Sequence, residues 1–207
     1  MKLIIFGASG SVGHKLVEQA LAQGHQVTAF IRDKSKLQIN ASNLQIAVGD
    51  VLQIETVELA IKRQDAVLCV LGAGRKGTVR SEGTRNIIQA METTGVKRLI
   101  CQSSLGVGDS RGNLNLFWKY FMFGLLLRPA YEDHARQEQY VRQSELDWTI
   151  VRPGAFTDGV HTGQYRHGFS SQDKTTRLKI SRSDVADFLL KQLFDSTYLH
   201  KAASLSY

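Results

Sequence analysis

The sequence predicts an α/β protein with a doubly wound parallel sheet, helices covering both faces in three α/β/α layers. Three observations carry this. Short apolar runs alternate with helical patterns along the chain. The runs are near-continuous rather than alternating with polar residues, as in strands buried on both faces. Turn-forming Gly, Ser, Asp or Pro residues follow the carboxyl ends of the runs. With right-handed crossovers the result is a Rossmann-like sheet.

The elements follow in order. Lys2–Phe6 (KLIIF) reads as a buried strand running into the GASGSVG turn, and residues 12–23 read as a helix stopped by Gly24. Gln26–Ile31 (QVTAFI) is a second strand, and Leu44–Val48 a third that ends at Gly49 and Asp50. Residues 54–63 are helical, and 66–71 (AVLCVL) form a fourth strand ending at Gly72, Ala73 and Gly74. Residues 82–94 form a helix closed by Gly95, and 97–102 a fifth strand ending at Ser103 and Ser104. A long helical stretch spans 116–144 with a break near Arg128 and Pro129, and 147–152 (DWTIVR) is a sixth strand ending at Pro153 and Gly154. The Gly-rich stretch 159–171 reads as a mobile lid, and Ser181-x-x-Asp184 as a capping signature that opens the last helix.

At 207 residues, with no repeat or evident linker, residues 1–207 are expected to form one domain. Its small C-terminal part, from about 154 to 207, is expected to face substrate and leave a shallow, open pocket. The sequence is 43% hydrophobic and 22% charged, as in an ordinary globular chain. No apolar run reaches the roughly 20 residues of a membrane span, and the nearest, 114–127, is broken by Asn115, Lys119 and Gly124. The first strand begins at the N-terminus with no signal peptide before it, so a cytoplasmic protein is expected. Cys69 and Cys101 fall in strand runs and are expected as buried free thiols rather than a disulfide. Neither the cysteines nor the six histidines show metal-ligand spacing, so no metal is expected.

The strongest motif is Gly7-x-x-Gly10-x-x-Gly13 between a strand and a helix, with Ser9, Ser11 and Val12 inside it. Gly7 permits the tight turn, Gly10 lets backbone approach a pyrophosphate, and Gly13 brings helix close to strand. First-turn N–H groups and the helix dipole then favour phosphate. A ligand-free glycine turn is the alternative. Gly7, Arg32, Asp50, Gly72, Ser103 and Pro153 with Gly154 all follow strand ends, and so share the rim where open α/β sheets bind ligands.

The choice of dinucleotide turns on the second strand. NAD sites usually place an acid there for the ribose hydroxyls. Here the strand ends at Arg32, with Lys34 and Lys36 behind it, a pairing that suits the extra phosphate of NADP(H). Asp33, one residue late, muddies that choice, and a solvated Arg32 is the plain alternative. Asp50 and Val51 are expected to flank the adenine, with Asp50 accepting from its amino group or merely stabilising a turn. Leu71, Gly72 and Ala73 offer a wall of small residues against the ribose, or a simple tight turn. The net charge of +7 is partly balanced by such an anionic cofactor. The remaining basic residues are scattered without a stacking-aromatic signature, so a solvated surface is expected and no nucleic-acid partner.

The stretches GASGSVG, VTAFIRD, VGDVLQ, QDAVLCVLG, SEGTRNIIQAMETTGVKR and ISRSDVADFLL, in this order, resemble the atypical short-chain dehydrogenase/reductases. Within that group the chain looks most like the NADPH-dependent flavin reductases, also known as biliverdin-IXβ reductases. The match weakens between Leu105 and Lys179. The resemblance implies an NADPH-dependent oxidoreductase that passes hydride to FMN or FAD, bound as substrate rather than as a tight cofactor, or to a related flat conjugated acceptor such as biliverdin. It also implies a monomer, with Ser103 close to the nicotinamide and His134 in a helix position where relatives carry Asp-His. Pro153, Gly154, Ala155 and Phe156 would line the cofactor site, the first two bordering the nicotinamide amide through backbone groups and Phe156 stacking on the acceptor or merely packing its loop. Some relatives carry a His where this chain has Ala155, so that acid is absent here.

The Tyr-x-x-x-Lys pair of ordinary members is missing: Tyr120 is followed four residues on by Gly124, Tyr131 by Ala135 and Tyr140 by Ser144. Hydride transfer to a flavin needs stacking and distance more than a general acid, because the charge spreads over the ring and water can supply the proton. A pKa near 6.5 would suit His134 as a proton source; a hydrogen-bonded, partly buried His is the alternative, as a turn-capping hydroxyl is for Ser103. Phe117, Trp118, Phe121 and Phe123 crowd the long helical stretch, with 117, 118 and 121 on one helical face, as substrate wall, partner surface or core. A non-catalytic NADP-binding redox sensor or assembly scaffold fits the missing pair equally well.

Overall fold

The computed structural model describes residues 1–74 and 77–207. In chain order the first elements are β1 (Lys2–Phe6), α1 (Ser11–Ala22), β2 (Gln26–Ile31), β3 (Leu44–Val48), α2 (Ile54–Ile61), β4 (Ala66–Cys69) and α3 (Val79–Thr94). There follow β5 (Arg98–Gln102), α4 (Arg128–Gln143), β6 (Asp147–Pro153), β7 (Ala155–Thr157), β8 (Arg166–His167), β9 (Lys179–Ser181), α5 (Arg182–Lys191) and β10 (Lys201–Ser206).

β1 lies at the centre, and its side chains alternate between two cores. Leu3 and Ile5 pack with Leu16, Val17 and Ala20 of α1 and Val185 and Leu189 of α5. Ile4 and Phe6 pack on the other side with Val57 and Ile61 of α2, Ile87 and Met91 of α3 and Val141 of α4. Both faces are therefore apolar, which is why the strand sequences carry no polar alternation. The main sheet runs β3-β2-β1-β4-β5-β6-β10-β8. It is parallel from β3 to β10, and β8 closes the edge antiparallel. The direction of winding reverses between β1 and β4, so a crevice opens there at the carboxyl ends of the strands.

The doubly wound sheet expected from the sequence is present, and its first six strands fall where the apolar runs lie. Cys69 and Cys101 are free, buried and paired in register across β4 and β5. The C-terminal third differs more. β10 joins the sheet interior although its sequence, KAASLS, is small and weakly strand-forming; burial of Ala203, Ser204 and Leu205 beside β6 overrides propensity. The stretch read as a mobile lid is tied down instead. Asp184 accepts from the backbone N–H of Thr162 (2.8 Å) and Gly163 (2.9 Å) and from the Thr162 hydroxyl, while Arg166–His167 pairs with β10. Ser181 does cap α5, accepting from Asp184 N–H at 3.0 Å.

The long helical stretch is two objects. Phe117–Leu126 is a π-helix, and α4 begins at Arg128 with Pro129 in its first turn. Leu127 N–H donates to Met122 O at 2.7 Å, a five-residue closure. On an α-helix, residues five apart point roughly 140° apart. Here the wider turn brings Trp118 and Phe123 together, ring centroids 6.0 Å apart, while Phe117 and Phe121 stack at 5.3 Å and are exposed. The expectation that 117, 118 and 121 share one face is thus corrected, because it assumed α-helical spacing.

Behind this segment lies a buried ion pair. Arg152, fully buried in β6, donates Nε to Glu138 Oε1 (2.8 Å), Nη2 to Glu138 Oε2 (2.7 Å) and Nη1 to Asp109 Oδ1 (2.5 Å). Gly108 has φ +58°, and a Cβ there would stand 2.5 Å from Nη2, so a larger residue would both strain the loop and press on the guanidinium. These bonds hold α4 and the loop after β5 against β6. Stranding one partner of a buried pair costs about 3–5 kcal/mol. Glu138→Ala is therefore expected to lower unfolding free energy by about that amount, read as a shift in the urea midpoint. Replacing Arg152 by Met in the Glu138→Leu background is expected to restore much of it.

Candidate functional site

The site is a trough along the carboxyl ends of the central strands. One lobe, of about 260 Å³, lies between the turn after β1 and the ends of β2 and β3, lined by Gly7, Ser9, Gly10, Arg32, Asp50 and Val51 among others. The second, of about 350 Å³, continues past Gly10, Ser11 and Val12 to Ser103, His134 and residues 153–156. Gly10, Leu71 and Gly72 line both lobes and so mark where they join.

The glycine turn makes the junction. Gly7 has φ +84°, and a Cβ there would meet Val70 O at 2.5 Å. A Cβ on Gly13 would lie 2.1 Å from Gly7 O, so α1 could not start this close to β1 with any other residue. Gly10 is the N-cap of α1 and offers no side chain to its first-turn N–H groups, which remain open to an anionic ligand. At the outer end Arg32 is exposed on the lobe wall. Asp33 is turned into its own loop, accepting from Ser35 N–H (2.9 Å) and Ser35 Oγ (2.7 Å), and these bonds hold its carboxyl below the usual range. Asp50 likewise uses Oδ1 on Leu52 N–H at 3.0 Å, which favours the turn-stabilising reading. Gly83 of α3 lets that helix close on Val51 and Leu71, since a Cβ would reach their side chains at 2.8 and 2.9 Å.

Of the residues singled out from the sequence, Gly13, Lys36 and Ala73 do not line the trough. Gly13 lies under the turn, and Lys36 sits in a short turn of 3₁₀-helix, Lys34–Lys36, beyond Arg32. The backbone donors of Gly154 and Ala155 are also committed, to Leu205 O (2.9 Å) and Leu178 O (2.8 Å). Pro153 has no N–H and its carbonyl accepts from Leu105 N–H at 2.9 Å, so the one N–H donor of the Pro153–Gly154 pair, that of Gly154, is spent on Leu205 O.

The inner lobe is mostly apolar. Leu105, Leu114, Trp118, Phe123 and Leu127 form one wall, and Phe156 and Leu178 the other. Residues 102–134 thus supply more of the wall than the segment after 154 that the sequence pointed to. Ser103 is 2% exposed, and its Oγ has no hydrogen-bond partner. Gln102 Oε1 is in the same condition one residue earlier. Two buried polar atoms left unpaired on a cavity wall are costly unless a ligand meets them.

His134 lines the same lobe, and its Nδ1 lies 3.1 Å from Gln137 Oε1. Gln137 donates Nε2 to Thr84 Oγ1 (3.0 Å), which orients its oxygen toward the imidazole. With the Gln137 amide in this orientation, Nδ1 donates to Oε1 and Nε2 is left as an acceptor. Burial, helped by the Arg80 charge, lowers the His134 pKa to about 4. The imidazole is uncharged at neutral pH, which corrects the expectation of a proton source with a pKa near 6.5. Arg80 was not foreseen. It reaches the lobe from α3, with Nη1 3.3 Å from Asp133 and Nη2 donating to Gly74 O at 3.1 Å. Asp133 also accepts from the N–H groups of Arg80 and Ser81, so it caps α3 from α4. The Asp-His pair of α4 was visible in the sequence, but nothing there linked it to a cation 53 residues earlier. Among the described residues no cluster of His, Cys, Asp or Glu is arranged to hold a metal ion.

The chain matches the family model described as NAD(P)H-binding over residues 7–196. It is 32% identical over 205 residues to UPF0659 protein YMR090W of Saccharomyces cerevisiae, covering 93% of this chain and 87% of that protein. Among solved structures, the oxidoreductase ylbE from Lactococcus lactis superposes with a TM-score of 0.85 at 25% identity, covering 100% of this chain and 90% of that one. The anaerobillin reductase ChuY of Escherichia coli O157:H7 gives a TM-score of 0.83 at 26% identity, covering 100% and 97%. The chain belongs to the NAD(P)H-binding family, and the resemblance to atypical short-chain dehydrogenase/reductases is borne out.

The His134 geometry has a measurable consequence. The unfolded chain binds a proton near pH 6.5, which the folded imidazole refuses until about pH 4. Stability from this group is present above pH 6.5 and is lost as pH falls toward 4. An NMR titration should place the His134 midpoint below 5. His134→Asn should flatten that part of the stability profile.

Proposed function

We propose that this NAD(P)H-binding protein is an NADPH-dependent reductase of flat conjugated acceptors, flavins first among them. The observation that carries the reading is the two-lobed trough, whose inner lobe is apolar and aromatic yet contains the unpaired Ser103 Oγ. Gly7 and Gly10 would cradle the pyrophosphate of NADP(H), with Ser9, Ser11 and Val12 beside it and Gly13 beneath the turn, where it lets α1 start close to β1. Arg32 would meet the 2′-phosphate. Asp33, the acid that would favour the ribose hydroxyls of NAD, has its Oδ1 turned to Ser35, which supports that reading. Val51, Leu71 and Gly72 would wall the adenosine. Bound NADPH supplies a hydride.

The residues of the inner lobe position the acceptor. Trp118, Phe123 and Phe156 offer aromatic surface for stacking, and exclusion of water by Leu105, Leu114 and Leu127 strengthens every polar contact inside. Ser103 would donate to a ring oxygen or nitrogen. Neutral His134 would accept at Nε2 from an N–H or O–H of the acceptor. Neither group is a strong acid, so the proton that completes the reduction comes from water, as suits an acceptor that delocalises the added charge.

The test is NADPH oxidation in the presence of FMN, FAD or biliverdin. Flavin-dependent turnover is expected, with Ser103→Ala slower by about tenfold, the size of one lost hydrogen bond in a dry site. Arg32→Ala should cut the preference for NADPH over NADH by at least about tenfold. Cofactor binding without turnover on any of these acceptors would overturn the proposal and favour a sensor or scaffold role.

A further inference from the structure

We propose that the outer face of the π-helix Phe117–Leu126 docks on an anionic lipid membrane. Leu116, Phe117, Tyr120, Phe121, Leu125 and Leu126 are all exposed, Leu116 to 74% and Leu125 to 72%. The other large apolar side chains on the surface are dispersed, with at most two in any ten residues. The pattern follows the widened turn. Residues 114, 118, 123 and 127 face the inner lobe of the trough, while 116, 120 and 125 and then 117, 121 and 126 form two outward rows at four- and five-residue spacing. The helix thus has one apolar side toward the pocket and a second apolar side toward solvent.

Charge selects the occupant. Residues 110–131 contain Arg111, Lys119 and Arg128 and no Asp or Glu. Over 109–132 the three cations outnumber the two carboxylates, Asp109 beside Arg152 and Glu132 paired with Arg128 at 2.9 Å, so Arg111 and Lys119 remain for an anionic surface. The whole chain carries +7, so a second copy would set like charge against like. A lipid surface offers apolar depth and negative charge in one plane, which is what an apolar row with basic flanks requires. No helix among the described residues is long and apolar enough to cross a membrane, so the segment would lie on the surface. The mouth of the inner lobe would then sit at the headgroup level, beside Trp118.

The experiment is vesicle flotation of the full chain, with equal parts phosphatidylglycerol and phosphatidylcholine against phosphatidylcholine alone. Binding to the anionic vesicles, weakened by added salt, is the expected result. The triple variant Phe117→Ser, Phe121→Ser, Leu125→Ser should bind at least about tenfold more weakly, since each change removes several buried methylenes. These side chains are exposed, so circular dichroism should be unchanged. Lys119→Glu should weaken binding to anionic vesicles further. The proposal falls if the chain ignores anionic vesicles, or if the triple variant binds like the parent. It also falls if light scattering finds a dimer that the triple variant dissociates, because the face would then be covered by a second copy. Flotation needs neither cofactor nor acceptor, so its outcome is independent of the reductase reading.

Discussion

The pocket depends on one buried cation. Arg152 ends β6 in the apolar interior, where an unpaired charge would be prohibitively costly. Its fork takes both oxygens of Glu138 and one of Asp109, and so binds α4 and the loop after β5 to the same strand end. Gly108 suits this closure, since its φ of +58° favours glycine and a Cβ would press on the guanidinium. With α4 fixed, His134 and Asp133 are placed, and with Asp133 placed the start of α3 and Arg80 follow. The inner lobe is therefore a consequence of charge pairing as much as of apolar packing.

The two lobes of the trough differ in how they are made. The outer lobe is built from backbone: glycines that permit close approach, strand ends that stop in register, and a helix N-terminus left uncapped. Such a surface suits phosphates and sugars, whose recognition runs through N–H groups and a few cations. The inner lobe is built from side chains, with aromatic walls and a small number of unpaired or neutral polar atoms. It resembles sites that orient a planar molecule rather than ones that ionise it. The uncharged His134 and the missing Tyr/Lys pair agree on this point from independent directions.

The π-helix joins the pocket to the surface. A five-residue closure rotates Trp118 and Phe123 inward together, and the same rotation leaves Phe117 and Phe121 outside. An α-helix with this sequence would divide its aromatics differently and would leave the inner lobe with less of a wall.

What the sequence determined by itself is the frame and the outer lobe. Apolar runs buried on both faces leave no choice but a covered parallel sheet, and Gly7 and Gly13 mark the turn because no other residue fits their backbone positions, with Gly10 leaving the helix start bare. These signals are local, each read within a dozen residues. What only the tertiary structure decided is the inner lobe and the last third of the chain. β10 is a strand because β6 offers it an interior position, not because KAASLS favours one. The pKa of His134 is set by burial and by Arg80 from another helix. Arg80, Gln102 and the Arg152 clamp carry no motif, since each gains its meaning from partners dozens of residues away or from the cavity wall on which it lies. Long-range contacts of this kind leave no periodicity in a sequence, and so they had to be seen in the fold.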